Sequence, residues 1–178
     1  MNPILGIDPG LNTTGYAVID SASGKVRLLE AGVVRSRSGE LSQKVREIYD
    51  GVCEVIEMFS PKVLALEELY SHYDRPTTAI LMGHARGCIC LAAAQSGIEV
   101  VSYAATKVKK LLTGSGRATK DQVQRAIKLE LGLEMYPEPA DVADAIALAL
   151  CHRYHGCFDI KKLPDGPKGD FPANRRFR

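Results

Sequence analysis

Tryptophan is absent from these 178 residues, and Tyr and Phe bring the aromatic share to only 6%. Aliphatic side chains and alanine must therefore fill the core. The remaining composition, 46% apolar and 25% charged, is that of an ordinary globular chain, which excludes a disordered chain and a collagen-like repeat. No C-x-x-C pair occurs, and the five cysteines, at 53, 88, 90, 151 and 157, are odd in number. The opening MNPILGIDPG has no charged region followed by a long apolar stretch, so no secretory signal is expected. The cysteines read as reduced thiols of a cytoplasmic protein, not as a disulfide framework. G-x-x-x-x-G-K followed by Ser or Thr is also missing, which excludes a P-loop. The longest apolar stretch, residues 80–94, is interrupted by His84 and Arg86. It falls short of the roughly 20 apolar residues of a membrane span, so no membrane partner is expected.

Net charge is only +2, but it is unevenly spread. Residues 107–128 hold seven Lys/Arg against a single acid, Asp121. Residues 161–178 hold six Lys/Arg against two acids, together with three prolines. This predicts one folded domain over residues 1–158 and a basic, mobile tail over 159–178. Basic segments suit a polyanion, whose condensed counterions they replace. A solvated helix face and a solubilising tail would look the same by charge alone.

Apolar runs and turn signals give a coarse order of elements. Strands are expected at Pro3–Asp8, Thr13–Asp20 and residues 26–35, joined by short turns as an antiparallel meander. Apolar residues from Leu41 to Phe59 recur at spacings of three and four, an amphipathic helix that Pro61 stops. A fourth strand over 62–67 is nearly all apolar until Glu67, as suits a central strand parallel to the first. Residues 71–78 read as a loop, 79–95 as a helix rich in small residues, and 98–103 as a fifth strand. Helices follow over 104–112, from a Thr119 cap to Leu131, and from Ala140 to about His155. The fold class is therefore α/β, a mixed five-stranded sheet flanked by helices on both faces.

Three places carry a carboxylate where a plain fold would not need one. Asp8 ends the first strand before Pro9-Gly10, and Glu67 ends the fourth. In open α/β sheets ligands bind outside the carboxyl ends of strands. Asp141 and Asp144 open the last helix at i, i+3 and share a face. If that helix packs over the same sheet edge, four acids converge. They could not all stay ionised without cations, and hard oxygen ligands suit Mg²⁺, with Mn²⁺ as a substitute. Two such ions roughly 3.5–4 Å apart serve phosphodiester hydrolysis. Singly, each Asp has a plainer explanation, as a turn acid or a helix-dipole partner. Glu67 is harder to dismiss, because Glu is depleted in strands. Alternation sends Glu67 and Glu68 to opposite faces, and Glu67 is the favoured ligand.

Lys109 and Lys120 fit a groove holding phosphates beside such a site, and Lys120 could stabilise charge developing on a phosphoryl oxygen. Gly114-Ser115-Gly116 reads either as a helix-ending loop or as a close backbone approach to DNA. Lys107 and Arg117 add to the basic segment. Tyr70, Tyr73 and Arg75 lie just past Glu67, in a loop suited to reach open bases. Gly83 and Gly87 permit close helix approach, within the fold or between chains. Cys151, His152, His155 and Cys157 fit no paired zinc spacing.

The ordered set of segments resembles the RuvC family of bacterial Holliday-junction resolvases, within the RNase H-like superfamily. The residues that carry the resemblance are Gly6-Ile7-Asp8-Pro9-Gly10 with Thr14-Gly15-Tyr16, then Leu66-Glu67-Glu68. Gly83-His84-Ala85-Arg86-Gly87 and Tyr103-Ala104-Ala105-Thr106-Lys107-Val108-Lys109 follow. Gly114-Ser115-Gly116 with Lys120, and Ala140-Asp141-Val142-Ala143-Asp144-Ala145, complete it. The match runs over about residues 3–155. The resemblance implies an RNase H-like fold, a homodimer, and divalent-metal nicking of two opposed strands of a four-way junction in recombination and repair, leaving 5′-phosphate ends. It implies Asp8, Glu67, Asp141 and Asp144 as metal ligands, two Mg²⁺ per site, and functional roles for Lys109 and Lys120. Tyr70 stands where the family has an aromatic, commonly Phe, that stacks on bases near the crossover. A branch-migration motor of the RuvA-RuvB type is the implied partner.

Rival readings are a junction-binding module without cleavage and an RNase H-like nuclease acting on RNA. An actin-like ATP-binding fold also opens with a strand, an Asp and a glycine turn, but needs two such domains. Replacing Asp8 with Asn is expected to abolish metal-dependent cutting of an end-labelled junction while largely sparing binding. Cutting at near wild-type rate by that variant would remove Asp8 from the site.

Overall fold

In the computed structural model, which describes residues 2–22, 24–37, 39–68 and 76–159, the first strand, β1 (Pro3–Asp8), sets up two core layers by alternation. Ile4 and Gly6 face one layer, and Leu5 and Ile7 face the other. Strands β2 (Thr13–Asp20) and β3 (Arg27–Arg35) complete an antiparallel meander. Then come helix α1 (Leu41–Phe59), strand β4 (Val63–Glu67), helix α2 (Pro76–Gln95) and strand β5 (Glu99–Tyr103). Helices α3 (Ala105–Thr113), α4 (Lys120–Leu131) and α5 (Ala140–Asp159) close the chain. The sheet order is β3-β2-β1-β4-β5, with β4 parallel to both β1 and β5. This is the mixed five-stranded arrangement the sequence implied.

One face of the sheet is covered by α1 and α2. Helix α1 buries Ile48, Val52, Val55 and Ile56 on a single stripe, against Leu5, Ile7, Leu64 and Leu66. The other face is covered by α5, with α3 and α4 packed outside it. That position makes α5 a central helix. Its residues from Val142 to Cys151 are buried apart from the acid Asp144, so it is apolar nearly all round. Small residues let it lie close to the sheet. A Cβ added at Gly6 would come 2.1 Å from the Ala145 carbonyl oxygen, and one at Gly15 would come 2.0 Å from that of Asp141.

Several boundaries differ from the sequence expectation. Helix α2 begins at Pro76 rather than residue 79, because proline at a first helical position gives up an N–H that has no helical partner there. Helix α5 runs on to Asp159 through Gly156, a residue tolerated inside a helix at roughly 1 kcal/mol against Ala. Helix α3 is shifted by one residue to end at Gly114, which takes the left-handed conformation at φ 80°. The expected Thr119 cap is a full capping box. Gln122 N–H donates to Thr119 Oγ1 at 3.3 Å, and Thr119 N–H donates to Gln122 Oε1 at 2.9 Å.

By length and composition residues 77–95 of α2 could cross a membrane. Here they form a layer of the fold, with Ala85, Cys88, Ile89, Ala92 and Ala93 in the core beside α1. Cys53, Cys88, Cys90 and Cys151 are free thiols. Gly6→Ala and Gly15→Ala must each displace α5 backbone, and each is expected to cost about 1–3 kcal/mol or more in urea unfolding. Wild-type stability for either variant would show that α5 does not sit this close to the sheet.

Candidate active site

The site forms where β1 and β4 end side by side. Their parallel register pairs Ile7 with Leu66, so Asp8 and Glu67 emerge as neighbours. Alternation gives both the α5 face. Val63 and Ala65 of β4 pack in the α5 core, Leu64 and Leu66 pack on the opposite layer, and Glu67 follows the first set. Glu68 is exposed and does not line the site. Thr14, fully buried on β2, secures the turn after Asp8. Its hydroxyl donates to the Gly10 carbonyl at 2.8 Å and accepts from Gly10 N–H at 3.4 Å.

Asp141 and Asp144 reach the same place from the first turns of α5. Gly15 pairs with Asp8 across β1 and β2, and its missing side chain makes room for the Asp141 backbone. The four carboxylates line one cavity of about 380 Å³ together with Lys109 of α3 and Lys120 of α4. Val108, Val123, Ala147 and Leu148 contribute its apolar wall.

Electrostatics make this a strained collection of charge. Burial first, then the charges of Glu67, Asp144 and Asp141, push the Asp8 carboxyl from an ordinary 3.8 up to about 8. Burial and the Asp144 charge raise Glu67, opposed by its hydrogen bond from Asp8 and by Arg86 and Lys109. Burial also raises Asp144, opposed chiefly by Lys120. Asp8 therefore holds a proton and donates it to Glu67. Among the described residues no three His, Cys, Asp or Glu side chains are already gathered in metal-ligating geometry. The donor set nevertheless fits hard divalent cations. It is made of carboxylate oxygens alone, and burial with the neighbouring acids pushes one of them, Asp8, toward its protonated form.

Other predicted residues fall elsewhere. Lys107 turns away from the cavity. Its Nζ lies 3.0 Å from His155 Nε2 and 5.4 Å from the centroid of the Tyr103 ring. Ser115 and Arg117 lie on the α3–α4 connection, where Arg117 N–H donates to Ser115 Oγ at 3.3 Å, and neither lines the cavity. Tyr70, Tyr73, Arg75 and the tail from residue 160 lie outside the described residues, as does the Cys157 side chain. His152 Nδ1 is 2.8 Å from the Tyr103 hydroxyl. With Lys107 on His155, both histidines belong to a polar cluster with Tyr103.

Arg86 reaches the site although the sequence does not mark it as a site residue. Its guanidinium donates to the Glu67 carbonyl and to the Ser102 hydroxyl. Its sequence signals are a lone charge in a largely apolar helix and a place in the Gly83-His84-Ala85-Arg86-Gly87 segment, but the strand it reaches is set only by folding.

Comparisons with known proteins point one way. Residues 4–152 match the family described as crossover junction endodeoxyribonuclease RuvC. A protein of that name from Rhodopirellula baltica is 59% identical over 152 residues, covering 85% of each chain. The solved structure of T. thermophilus RuvC in complex with Holliday junction substrate matches with a TM-score of 0.84 at 34% identity, covering 89% of this chain and 97% of that one. The yeast mitochondrial Holliday junction resolvase Ydc2 matches at TM-score 0.61 and 13% identity, covering 89% of this chain and 80% of its own, a likeness of fold alone.

The Asp8 carboxyl ionises near 3.8 in the unfolded chain but near 8 in the folded one. Between those values the unfolded state releases the proton first, so metal-free protein loses stability as pH rises from about 4 to about 8. Glu67 and Asp144, also raised, act in the same direction. Thermal melts in EDTA should show this decline. Asp8→Asn should flatten it and raise the midpoint at neutral pH by several degrees. An unchanged pH profile would contradict the crowding of these acids.

Proposed function

The chain belongs to the crossover junction endodeoxyribonuclease RuvC family, and from that premise we propose that it resolves four-way DNA junctions by paired, symmetric nicking of two opposed strands. The observation that carries this reading is the single cavity lined by Asp8, Glu67, Asp141, Asp144, Lys109 and Lys120. An acid-lined cavity would repel a phosphodiester. The match of a junction-bound relative to this chain therefore goes together with a cation requirement.

Two Mg²⁺ ions held by the four carboxylates, with Mn²⁺ as a substitute, would supply charge neutralisation and activation of water for attack on phosphorus. The chain's own residues do the rest. Lys109 and Lys120 offer ammonium donors to the phosphate oxygens and keep the scissile strand in the cavity. Lys120, opening α4 beside Asp144, offsets the negative charge that builds on the phosphoryl oxygens. The apolar wall limits water around the reacting phosphate. Hydrolysis leaves a 5′-phosphate and a 3′-hydroxyl, ends that can be rejoined directly.

Cutting two opposed strands needs two sites. Helix α2 supports a homodimer as their source. Ile80, His84, Gly87 and Leu91 form one exposed stripe at helical spacing, with Ile80 62% and Leu91 52% exposed. A Cβ added at Gly83 or Gly87 would meet nothing within 4 Å, so these glycines are not used for packing among the described residues of the protomer. A second copy is the natural cover for such a stripe, and closed symmetry would then point two sites at two strands. Tyr70 and Arg75, directly after Glu68 in the chain, would contact bases at the crossover, and Lys107, Ser115 and Arg117 would follow the arms. A RuvA-RuvB-type motor is the expected partner, and the cytoplasm the expected compartment.

An end-labelled synthetic four-way junction and a matched duplex, each incubated with Mg²⁺ or EDTA, test this reading. Paired symmetric nicks are expected in the junction alone and only with Mg²⁺. Binding without nicks, also with Mn²⁺ and with varied junction sequence, would reduce the protein to a binding module. Preference for a hybrid or hairpin RNA would change the substrate class. In sedimentation, Ile80→Glu with Leu91→Glu should convert a dimer to monomers and uncouple the two nicks. A dimer that survives both changes would move the interface off α2.

A further inference from the structure

Helix α2 lies on the side of the sheet opposite the acid cavity, yet one of its side chains ends at the active-site strand. Arg86 is half-buried, and no other residue of helix α2 is a Lys, Arg, Asp or Glu. One of its guanidinium nitrogens donates to the Glu67 backbone carbonyl, and another donates to the Ser102 hydroxyl on β5. We propose that Arg86 is a positioning residue for the cation site. By holding the Glu67 carbonyl it sets the rotation of the last peptide of β4 and keeps the Glu67 carboxylate on the α5 face. This rests on the reading of the four acids as cation ligands.

In a strand the direction of a carbonyl and of the side chains beside it are linked, because the backbone is pleated. Inside β4 that pleat is enforced on both sides by β1 and β5. At Glu67 the enforcement becomes one-sided, because β5 still pairs Tyr103 with Glu67 while the β1 pairing has ended. The β1–β4 pairing ends at Ile7 and Leu66, and the residue after Glu67 is already exposed. The next backbone tie is from Glu68 N–H to the Tyr103 carbonyl, at 3.0 Å. Meanwhile Asp144 presses like charge on the Glu67 carboxylate, and turning the terminal peptide would relieve it.

Arg86 opposes that turn. Guanidinium is a rigid planar fork, so two donors seated on two different strands fix its position more tightly than one flexible ammonium could. Its positive charge also stands near Glu67 without entering the cavity. Groups that orient ligands in this way typically carry 10–100-fold in metal affinity.

Calorimetric titration of Mn²⁺ into DNA-free protein tests this, alongside the Mg²⁺ concentration for half-maximal nicking. Arg86→Gln is expected to weaken Mn²⁺ binding about tenfold or more and to raise the Mg²⁺ requirement in proportion. The nicking rate at saturating Mg²⁺ should return close to wild type, and junction affinity in EDTA should not change. Arg86→Lys, which keeps a charge and one donor, should fall between the two. Ser102→Ala, which loosens the fork and leaves the carbonyl contact, should shift in the same direction by less, and it carries the test should Arg86→Gln fail to fold. Wild-type Mn²⁺ affinity in folded Arg86→Gln, or in both other variants, overturns the proposal. A rate loss that saturating Mg²⁺ does not restore also overturns it, since that marks a general packing role. Wild-type protein that binds no Mn²⁺ fails earlier, and what then falls is the cation-ligand reading itself.

Discussion

At Gly6 and Gly15 the last helix lies so close to the sheet that any side chain would strike its backbone oxygens, at 2.1 and 2.0 Å for a bare Cβ. The rest of the site depends on this approach. Helix α5 is alanine-rich through residues 143–149, and it presents backbone where other helices present side chains. The helix sits low over β1 and β2, and its first turns bring Asp141 and Asp144 within reach of Asp8 and Glu67. A larger residue at either glycine would lift the helix and open the cavity. Much of the site's geometry therefore resides in two residues that have no side chains.

That approach gathers more negative charge than a buried cavity tolerates. The molecule answers in two ways. Without cations, Asp8 holds a proton that it shares with Glu67, at the cost of a carboxyl pushed up to about 8. At the rim, Lys109 and Lys120 come from separate helices and temper Glu67 and Asp144. Neither answer removes the repulsion, and a donor set of this kind suits divalent cations. The same lysines suit a phosphodiester, so one arrangement serves both ligand and substrate.

Helix α2 has two duties that compete in composition. Toward the sheet it must be apolar to join the α1 core, and toward solvent it keeps a stripe of Ile80, Gly87 and Leu91 that no other part of the described protomer covers. Arg86 is the exception in this helix, and it spans the thickness of the sheet edge to reach Glu67. The surface suited to a second copy and the strand that carries Glu67 are thus joined by one side chain.

Much of this was legible in the sequence because it is local. The apolar runs at Pro3–Asp8 and 62–67, the three-and-four spacing of Leu41–Phe59, and the Thr119 cap are all patterns over a few residues. Each appears where the pattern placed it. Alternation also separated Glu67 from Glu68, since the pleat has period two whatever the fold. The family resemblance located all four acids, and their positions at strand ends and a helix start gave them chemistry. The sequence did not reveal the role of Gly6 and Gly15, the turn of Lys107 toward His155, or the reach of Arg86 to β4. Those depend on which elements become neighbours across long separations, and no local pattern records the distance between a helix and the sheet it lands on. The sequence by itself determined the elements, their order and the donor chemistry. Only the tertiary structure decided that four acids share one cavity, because convergence comes from packing α5 onto glycine rather than from any spacing along the chain.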